Sequence, residues 1–169
     1  EELGYAAYDW GYGFNTGPLG DADDWMNALA QHVLDLTSAH KQRVNLIGWS
    51  LGGIYAREVA KLMPKRVRQV ITIGTPAGDV EQTNVGTLYR LLNGSKPTND
   101  ALMAARLRTA PTVPTTSIYS RSDGVVAWQA CVQASAGEAV ENIEIEGSHV
   151  GMGWNPQVLS IIAGKLRTS

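Results

Sequence analysis

The sequence predicts an α/β fold, in which a predominantly parallel, doubly wound sheet carries helices on both faces. Strand-like and helix-like stretches alternate along the chain, as they do in folds of this class. The run Val44–Trp49 is almost continuously apolar, which is typical of a strand buried on both faces. The length of 169 residues suits one domain with a core of its own, so we expect a single domain over residues 1–169.

Five strands are predicted from apolar and β-branched runs. Val70–Ile73 is β-branched, and Asn142–Glu146 alternates isoleucine with glutamate, as a strand near a sheet edge does. The full set is Tyr5–Trp10, Val44–Trp49, Val70–Ile73, Thr116–Ser120 and Asn142–Glu146.

Helices are predicted between these strands. Acidic residues from Asp21 to Asp24 suit the first turn of a helix whose apolar face recurs through Leu36. Asn155 and Pro156 form a start signal for the last helix. The remaining predicted helices are Ile54–Met63, Trp128–Ala134 and two within the irregular stretch Thr75–Pro114, near Val85–Leu92 and Asn99–Leu107.

Composition argues against a nucleic acid partner and against a membrane-spanning segment. The net charge of -2 and the pI of about 5.9 give no electrostatic reason to expect a nucleic acid partner. No apolar run is long enough to span a bilayer. The one cysteine, Cys131, cannot form an internal disulfide and is compatible with a reducing compartment such as the cytoplasm.

A nucleophile motif, G-x-S-x-G, lies at Gly48–Gly52 between a predicted strand and a predicted helix. A sharp strand-to-helix turn would expose the Ser50 hydroxyl, and glycines at 48 and 52 would leave room for the turn. The Leu51 N–H, at the start of the helix, could bind an oxyanion. The alternative interpretation is a glycine-rich turn with an incidental serine.

A serine nucleophile needs a base, and the base needs an orienting carboxylate. Of three histidines, His149 follows a late strand, whereas His32 and His40 belong to the first predicted helix and are interpreted as solvated. Asp123 follows the strand before His149 and is the favoured acid, with Asp79 as the alternative. The order Ser50, Asp123, His149 is the nucleophile–acid–histidine order of one hydrolase fold.

At these motifs the sequence resembles the α/β-hydrolase superfamily, and within it bacterial esterase and lipase-like members. The resembling segments are Asn45–Arg57, Val70–Pro76, Ile118–Trp128 and Gly147–His149. The resemblance implies a triad of Ser50, Asp123 and His149 that cleaves carboxylic esters of small molecules or lipids through an acyl-enzyme, with no cofactor or metal. It also implies that residues 10–17 lie near the active-site mouth. Trp10, in that stretch, and Trp49, directly before Ser50, are expected to contact substrate.

The sequence departs from the superfamily at its start. The loop that supplies a second oxyanion N–H is missing, residues 1–5 read as a helix end, and no initiator methionine is present. We therefore expect this chain to be a piece of a longer domain, in which an additional N-terminal segment completes the sheet. In the superfamily that strand lies between the strands here at Tyr5–Trp10 and Val44–Trp49; the alternative is that these two pair directly.

Proteins with other functions can carry the same triad motifs. An acyltransferase or thioesterase would use the same triad, and a non-catalytic binding module could retain it with an incomplete oxyanion hole. Residues 75–114 are expected either to form a small cap whose apolar side chains line an acyl pocket, or simply to pack on the sheet.

Overall fold

Four parallel strands form one sheet in the computed structural model, which describes residues 4–13, 15, 21–77, 105–133 and 140–168. Neighbours in the sheet follow chain order, and all three pairings are parallel. The strands are β1 (Val44–Trp49), β2 (Val67–Ile73), β3 (Thr115–Tyr119) and β4 (Val140–Glu144). The predicted parallel α/β fold is confirmed. β1 has the predicted bounds, and the other three strands differ from theirs by one to three residues at one or both ends.

Helices connect and cover the strands. The Asp21 carboxylate caps the first helix by accepting from the backbone N–H groups of Asp23 and Asp24, and Asn155 caps the last by accepting from Gln157. The helices are α1 (Ala22–His40), α2 (Leu51–Leu62), α3 (Trp128–Cys131), α4 (His149–Met152) and α5 (Pro156–Arg167). Most of the irregular stretch 75–114, with its predicted helix near Val85–Leu92, lies outside the described residues.

Apolar side chains pack on both faces of the sheet. On one face, Trp25 and Leu29 of α1 meet Ile54 and Val59 of α2. The cluster on the other face is formed by Ile71, Ile73, Ile118, Ile145, Met152 and Val158. A fully buried side chain of this size contributes about 1.5–3 kcal/mol, so these layers fix the helices against the strands.

The strand register brings three loops to the same edge of the sheet. Trp49 pairs with Ile73, and Ile73 pairs with Ile118. Tyr119 pairs with Glu144 in the same way. Because all four strands run parallel, the residues after β1, β3 and β4 leave the sheet side by side.

The predicted strand Tyr5–Trp10 is wrong, because this segment joins no strand ladder. Its aromatic side chains hold it to helices instead. The Tyr5 hydroxyl donates to the Leu166 carbonyl at 2.5 Å, and the Tyr8 hydroxyl lies 2.7 Å from His40 Nε2. These side-chain contacts replace the backbone pairing that the apolar pattern suggested.

A groove of about 770 Å³ separates this N-terminal segment from β1. Among the described residues, β1 pairs only with β2, and no other strand occupies its far side. The prediction that β1 is buried on both faces is therefore wrong, since the Ile47 side is open: Ile47 is 46% and Trp49 41% exposed. Neither of the two expected arrangements, a strand between the segments or direct pairing of Tyr5–Trp10 with β1, is seen here.

A buried arginine locks α2 in place. Arg57 donates to Gln133 Oε1 and to the carbonyls of Leu107 and Thr109, the latter two at 2.9 and 3.3 Å. Burial lowers the pKa of Arg57 to about 10, an effect partly opposed by the neighbouring Glu58 carboxylate. The guanidinium therefore remains charged at neutral pH and ties α2 to two distant segments.

We expect Arg57→Ala to lower the free energy of unfolding by about 3 kcal/mol or more, because several buried acceptors lose their donor at about 1–3 kcal/mol each. Urea unfolding followed by circular dichroism measures this change. Arg121→Ala is the matched control: that side chain is 60% exposed and pairs with Glu144 at 2.9 Å, so its loss should cost at most about 1 kcal/mol. Equal losses for the two variants would contradict a locking role for Arg57.

Candidate active site

Ser50 occupies the turn between β1 and α2 in a backbone conformation that is unusual for serine. Its φ is 53° and its ψ is −123°, and a positive φ is uncommon in residues other than glycine. The Ser50 N–H donates to the Ile73 carbonyl at 2.8 Å, and the Thr75 hydroxyl donates to the Ser50 carbonyl at 2.9 Å. Both backbone groups of Ser50 are thus held from β2 and the residues after it.

The glycines around Ser50 differ in how closely other atoms approach them. A β-carbon on Gly48 would lie 2.4 Å from the Gly52 carbonyl oxygen, so the predicted need for glycine there is confirmed. For Gly52 the prediction is wrong, because such a carbon would meet none of the described atoms within 4 Å. The close approach is made by Gly53, whose added β-carbon would lie 2.1 Å from Thr75 Oγ1.

His149 links the serine to a carboxylate. Its Nε2 lies 3.0 Å from Ser50 Oγ and its Nδ1 lies 2.7 Å from Asp123 Oδ2. An ionised carboxylate can only accept, which assigns the proton of neutral His149 to Nδ1 and leaves Nε2 free to accept from the Ser50 hydroxyl. The arrangement is that of a base placed to deprotonate a serine.

The Asp123 carboxylate is buried and fixed by backbone donors. Its Oδ1 accepts from the N–H groups of Val125 and Val126 at 2.8 and 2.6 Å, which turns Oδ2 toward His149. The Asp123 carbonyl also accepts from the His149 N–H at 2.9 Å. Side chain and backbone therefore both hold the imidazole in register with the acid.

Gly74 is a site residue that the sequence analysis missed. It follows β2 with a φ of 53°, and a β-carbon there would lie 3.1 Å from Asp123 Oδ2 and 3.2 Å from His149 Nδ1. The same carbon would lie 2.8 Å from Met152 Cε. The available signal was a glycine directly after a buried strand, at the sheet edge where the other site residues lie.

Ser120 is a second missed residue. This buried hydroxyl accepts from the N–H groups of Ser122 and Gly147, both at 3.2 Å. It therefore joins the loop that carries Asp123 to the loop that carries His149. A serine at the end of a strand gives no sequence signal that separates such a role from an ordinary loop serine.

The predicted oxyanion donor, the Leu51 N–H, lies at the start of α2. It belongs to the first turn of α2, where N–H groups lack intrahelical acceptors, and no side chain caps this helix. The helix dipole adds partial positive charge at the same place.

The other candidate polar residues lie apart from Ser50 or outside the described part of the chain. His32 Nε2 lies 3.3 Å from the Asp9 carbonyl oxygen, and His40 contacts the Tyr8 hydroxyl. Both histidines thus contact the N-terminal segment. Asp79, the alternative acid, lies outside the described residues.

The two tryptophans expected near substrate have different surroundings. Trp10 stacks on Tyr55, with centroids 6.0 Å apart, and meets the edge of Trp25 at 5.8 Å. This aromatic cluster packs with Leu51, directly after the serine. Trp49 lies against His149, with ring centroids 5.6 Å apart.

Cys131 does not compete as a nucleophile. It is buried, and desolvation with the nearby Asp123 charge raises the pKa of its thiol to about 12, so the reactive thiolate is scarce at neutral pH. Within the described part of the chain, no cluster of three or more His, Cys, Asp or Glu side chains could hold a metal ion. No helix in that part is both long and apolar enough to cross a membrane.

Comparison with known proteins shows which sequences and folds this chain resembles. A model described as the alpha/beta hydrolase family matches residues 2–160. A triacylglycerol lipase of Pseudarthrobacter phenanthrenivorans and one of Burkholderia plantarii are each 34% identical over 80% of this chain, covering 49% and 43% of those lipases. The chain therefore spans about half the length of these relatives. Lipase B of Aspergillus fumigatus has a TM-score of 0.65 at 20% identity, covering 85% of this chain and 41% of that structure.

We expect Gly74→Ala to slow labelling of Ser50 by a fluorophosphonate probe sharply, because its methyl group would push against the Asp123 carboxylate and the His149 ring. A 1 Å displacement of reacting groups can cost roughly 100-fold. Gly13→Ala is the matched control, since Gly13 also has a positive φ, 70°, but no described atom lies within 4 Å of its added β-carbon. Equal labelling in both variants would contradict a role for Gly74 in placing the imidazole and the carboxylate.

Proposed function

The chain belongs to the alpha/beta hydrolase family, and from this premise we propose that it is a serine hydrolase that cleaves carboxylic esters, of the esterase and lipase type. The observation that carries the proposal is the unbroken hydrogen-bonded chain from Ser50 Oγ through the His149 ring to Asp123 Oδ2. Its members follow three different strands and meet at one sheet edge, where open α/β sheets bind ligands.

In the proposed reaction, Ser50 Oγ attacks the ester carbonyl while His149 Nε2 accepts the serine proton. The tetrahedral intermediate then expels the alcohol, which takes that proton from His149, and an acyl-enzyme remains on Ser50. Water attacks the acyl group in the second half, again with His149 as base, and releases the acid. Asp123 stays ionised throughout and stabilises the imidazolium.

Oxyanion stabilisation is assigned to the Leu51 N–H. A developing negative charge beside Ser50 would face the first turn of α2, with its Leu51 N–H and the positive end of the helix dipole. Losing one such donor in a serine hydrolase costs about 2.7–4 kcal/mol in activation free energy, so a second donor matters as well. The expectation that an additional segment completes the sheet stays a prediction, supported by the unpaired far side of β1 and its groove of about 770 Å³.

Esters with apolar acyl chains, including lipids, are the proposed substrates. Support comes from the triacylglycerol lipases that the chain resembles and from Trp10, a partly buried aromatic side chain packed on the cluster that contains Leu51. An apolar side chain near the nucleophile favours substrates whose acyl chain leaves water on binding.

We expect Ser50→Ala to lower hydrolysis of p-nitrophenyl butyrate roughly 10⁴-fold or more, since the nucleophile is lost. Labelling by a fluorophosphonate probe should disappear with it, because only an activated serine reacts. Ser38→Ala, on the exposed face of α1, is the control and should keep both signals. Turnover and labelling at the level of the unmodified protein in Ser50→Ala would overturn the proposal, and labelling absent from the unmodified protein would favour a non-catalytic binding module.

We expect Asp123→Asn to cost roughly 10⁴-fold in kcat, the loss seen when the triad acid becomes an amide. The Asn carbonyl oxygen would keep the two backbone donors of Val125 and Val126, which turns its NH₂ group toward His149 Nδ1. That nitrogen must then accept, so the proton moves to Nε2, where it blocks deprotonation of Ser50. Asp79→Asn is the comparison: if that variant is the crippled one, Asp123 is not the acid.

A further inference from the structure

We propose that Trp49 is a positioning residue that holds His149 in line with Ser50. The inference rests on the proposed serine hydrolase function and adds a residue to it. Trp49 ends β1 and directly precedes the serine, yet its side chain reaches across the sheet edge to the loop after β4.

Trp49 contacts His149 in two ways. Its Nε1–H donates to the His149 carbonyl at 3.2 Å. Its ring also packs against the imidazole, with centroids 5.6 Å apart and planes inclined by 37°. One side chain thus holds both the backbone and the ring of the same residue.

The His149 carbonyl needs this donor because α4 ends after four residues. In a longer helix, the N–H of Gly153 would bond to the His149 carbonyl, four residues earlier. Here that N–H turns to the carbonyls of Val150 and Gly151 instead. The Trp49 indole takes the place of the missing helical donor.

His149 is consequently held from both sides of its backbone. Its N–H donates to the Asp123 carbonyl at 2.9 Å, and its carbonyl accepts from Trp49. The first bond ties the imidazole to the acid, and the second ties it to the strand that delivers the nucleophile. The distance between His149 Nε2 and Ser50 Oγ therefore depends on Trp49.

Burial argues against a purely structural role for this tryptophan. Trp49 is 41% exposed, and the two contacts described above are made to His149 and not to the core clusters. A residue that only filled the core would be enclosed, and its loss would act on stability before activity. Replacement of Trp49 is therefore expected to leave the fold intact.

Two substitutions separate the two contacts. Trp49→Phe keeps an aromatic ring beside the imidazole and removes the donor, whereas Trp49→Leu removes both. We expect kcat for p-nitrophenyl butyrate to fall roughly tenfold in Trp49→Phe. In Trp49→Leu the loss in kcat should be larger, up to the roughly 100-fold that a 1 Å misplacement can cost. KM should stay within about twofold, because no ground-state binding is removed.

Trp154→Phe is the matched control. Trp154 follows α4 and is 81% exposed, so it tests removal of an indole from the same region without touching the imidazole. Its kcat and KM should equal those of the unmodified protein.

Proton NMR of the resting protein supplies a readout that needs no turnover. The Nδ1 proton shared by His149 and Asp123 should give a low-field resonance that broadens and exchanges faster with water in Trp49→Phe, and not in Trp154→Phe. An unchanged resonance with unchanged kcat would overturn the proposal, as would a rise in KM alone, which would make Trp49 a substrate contact. Failure of the proposed function itself appears separately, as persistent activity in Ser50→Ala.

Discussion

The turn that carries Ser50 exists only because neighbouring atoms leave room for it and hold it. A serine at φ 53° is strained, and the strain persists because both backbone groups of Ser50 are bonded to Ile73 and Thr75. Gly53 lets Thr75 approach closely enough to make its bond. The half-buried Ser50 hydroxyl, the uncapped start of α2 and the contact of Ser50 with His149 all depend on this turn.

How far the sequence predicts the fold and the site depends on whether the signal is local. Three site residues each directly follow or lie shortly after a strand: Ser50, Asp123 and His149. Each of these strands can be predicted from its own apolar or β-branched residues. Parallel pairing then brings their ends together, so the three side chains could be named without coordinates. Helix α1 could likewise be recognised from its acidic start at Asp21 and its apolar face.

Failures arose where contacts distant in sequence decide the outcome. Tyr5–Trp10 has an apolar pattern, but its tyrosines bond to helices at His40 and Leu166 instead of entering the sheet. Gly53 rather than Gly52 meets Thr75, a residue more than twenty positions away. Gly74 and Trp49 lie against a histidine in the last part of the chain. A glycine after a buried strand can be noticed in the sequence, but no local pattern shows which distant residue it meets.

The two edges of β1 have different neighbours: β2 pairs with the inner edge, and the groove lies along the outer edge. The inner side bonds to β2, and from there come the Ile73 carbonyl and the Thr75 hydroxyl that hold Ser50, and Gly74 beneath the imidazole. The outer side faces the groove, where Ile47 is half-exposed. On the inner side, β2 and the residues after it hold Ser50 and lie against His149, whereas Trp49, which lines the groove, donates to the His149 carbonyl. A segment entering the groove would therefore contact the residue that we propose positions His149, and under the proposed function it would be placed to supply a second oxyanion donor. Under that function, the placement of Ser50 is set from the inner side of β1, whereas the alignment of His149 and the stabilisation of the oxyanion depend also on the groove side.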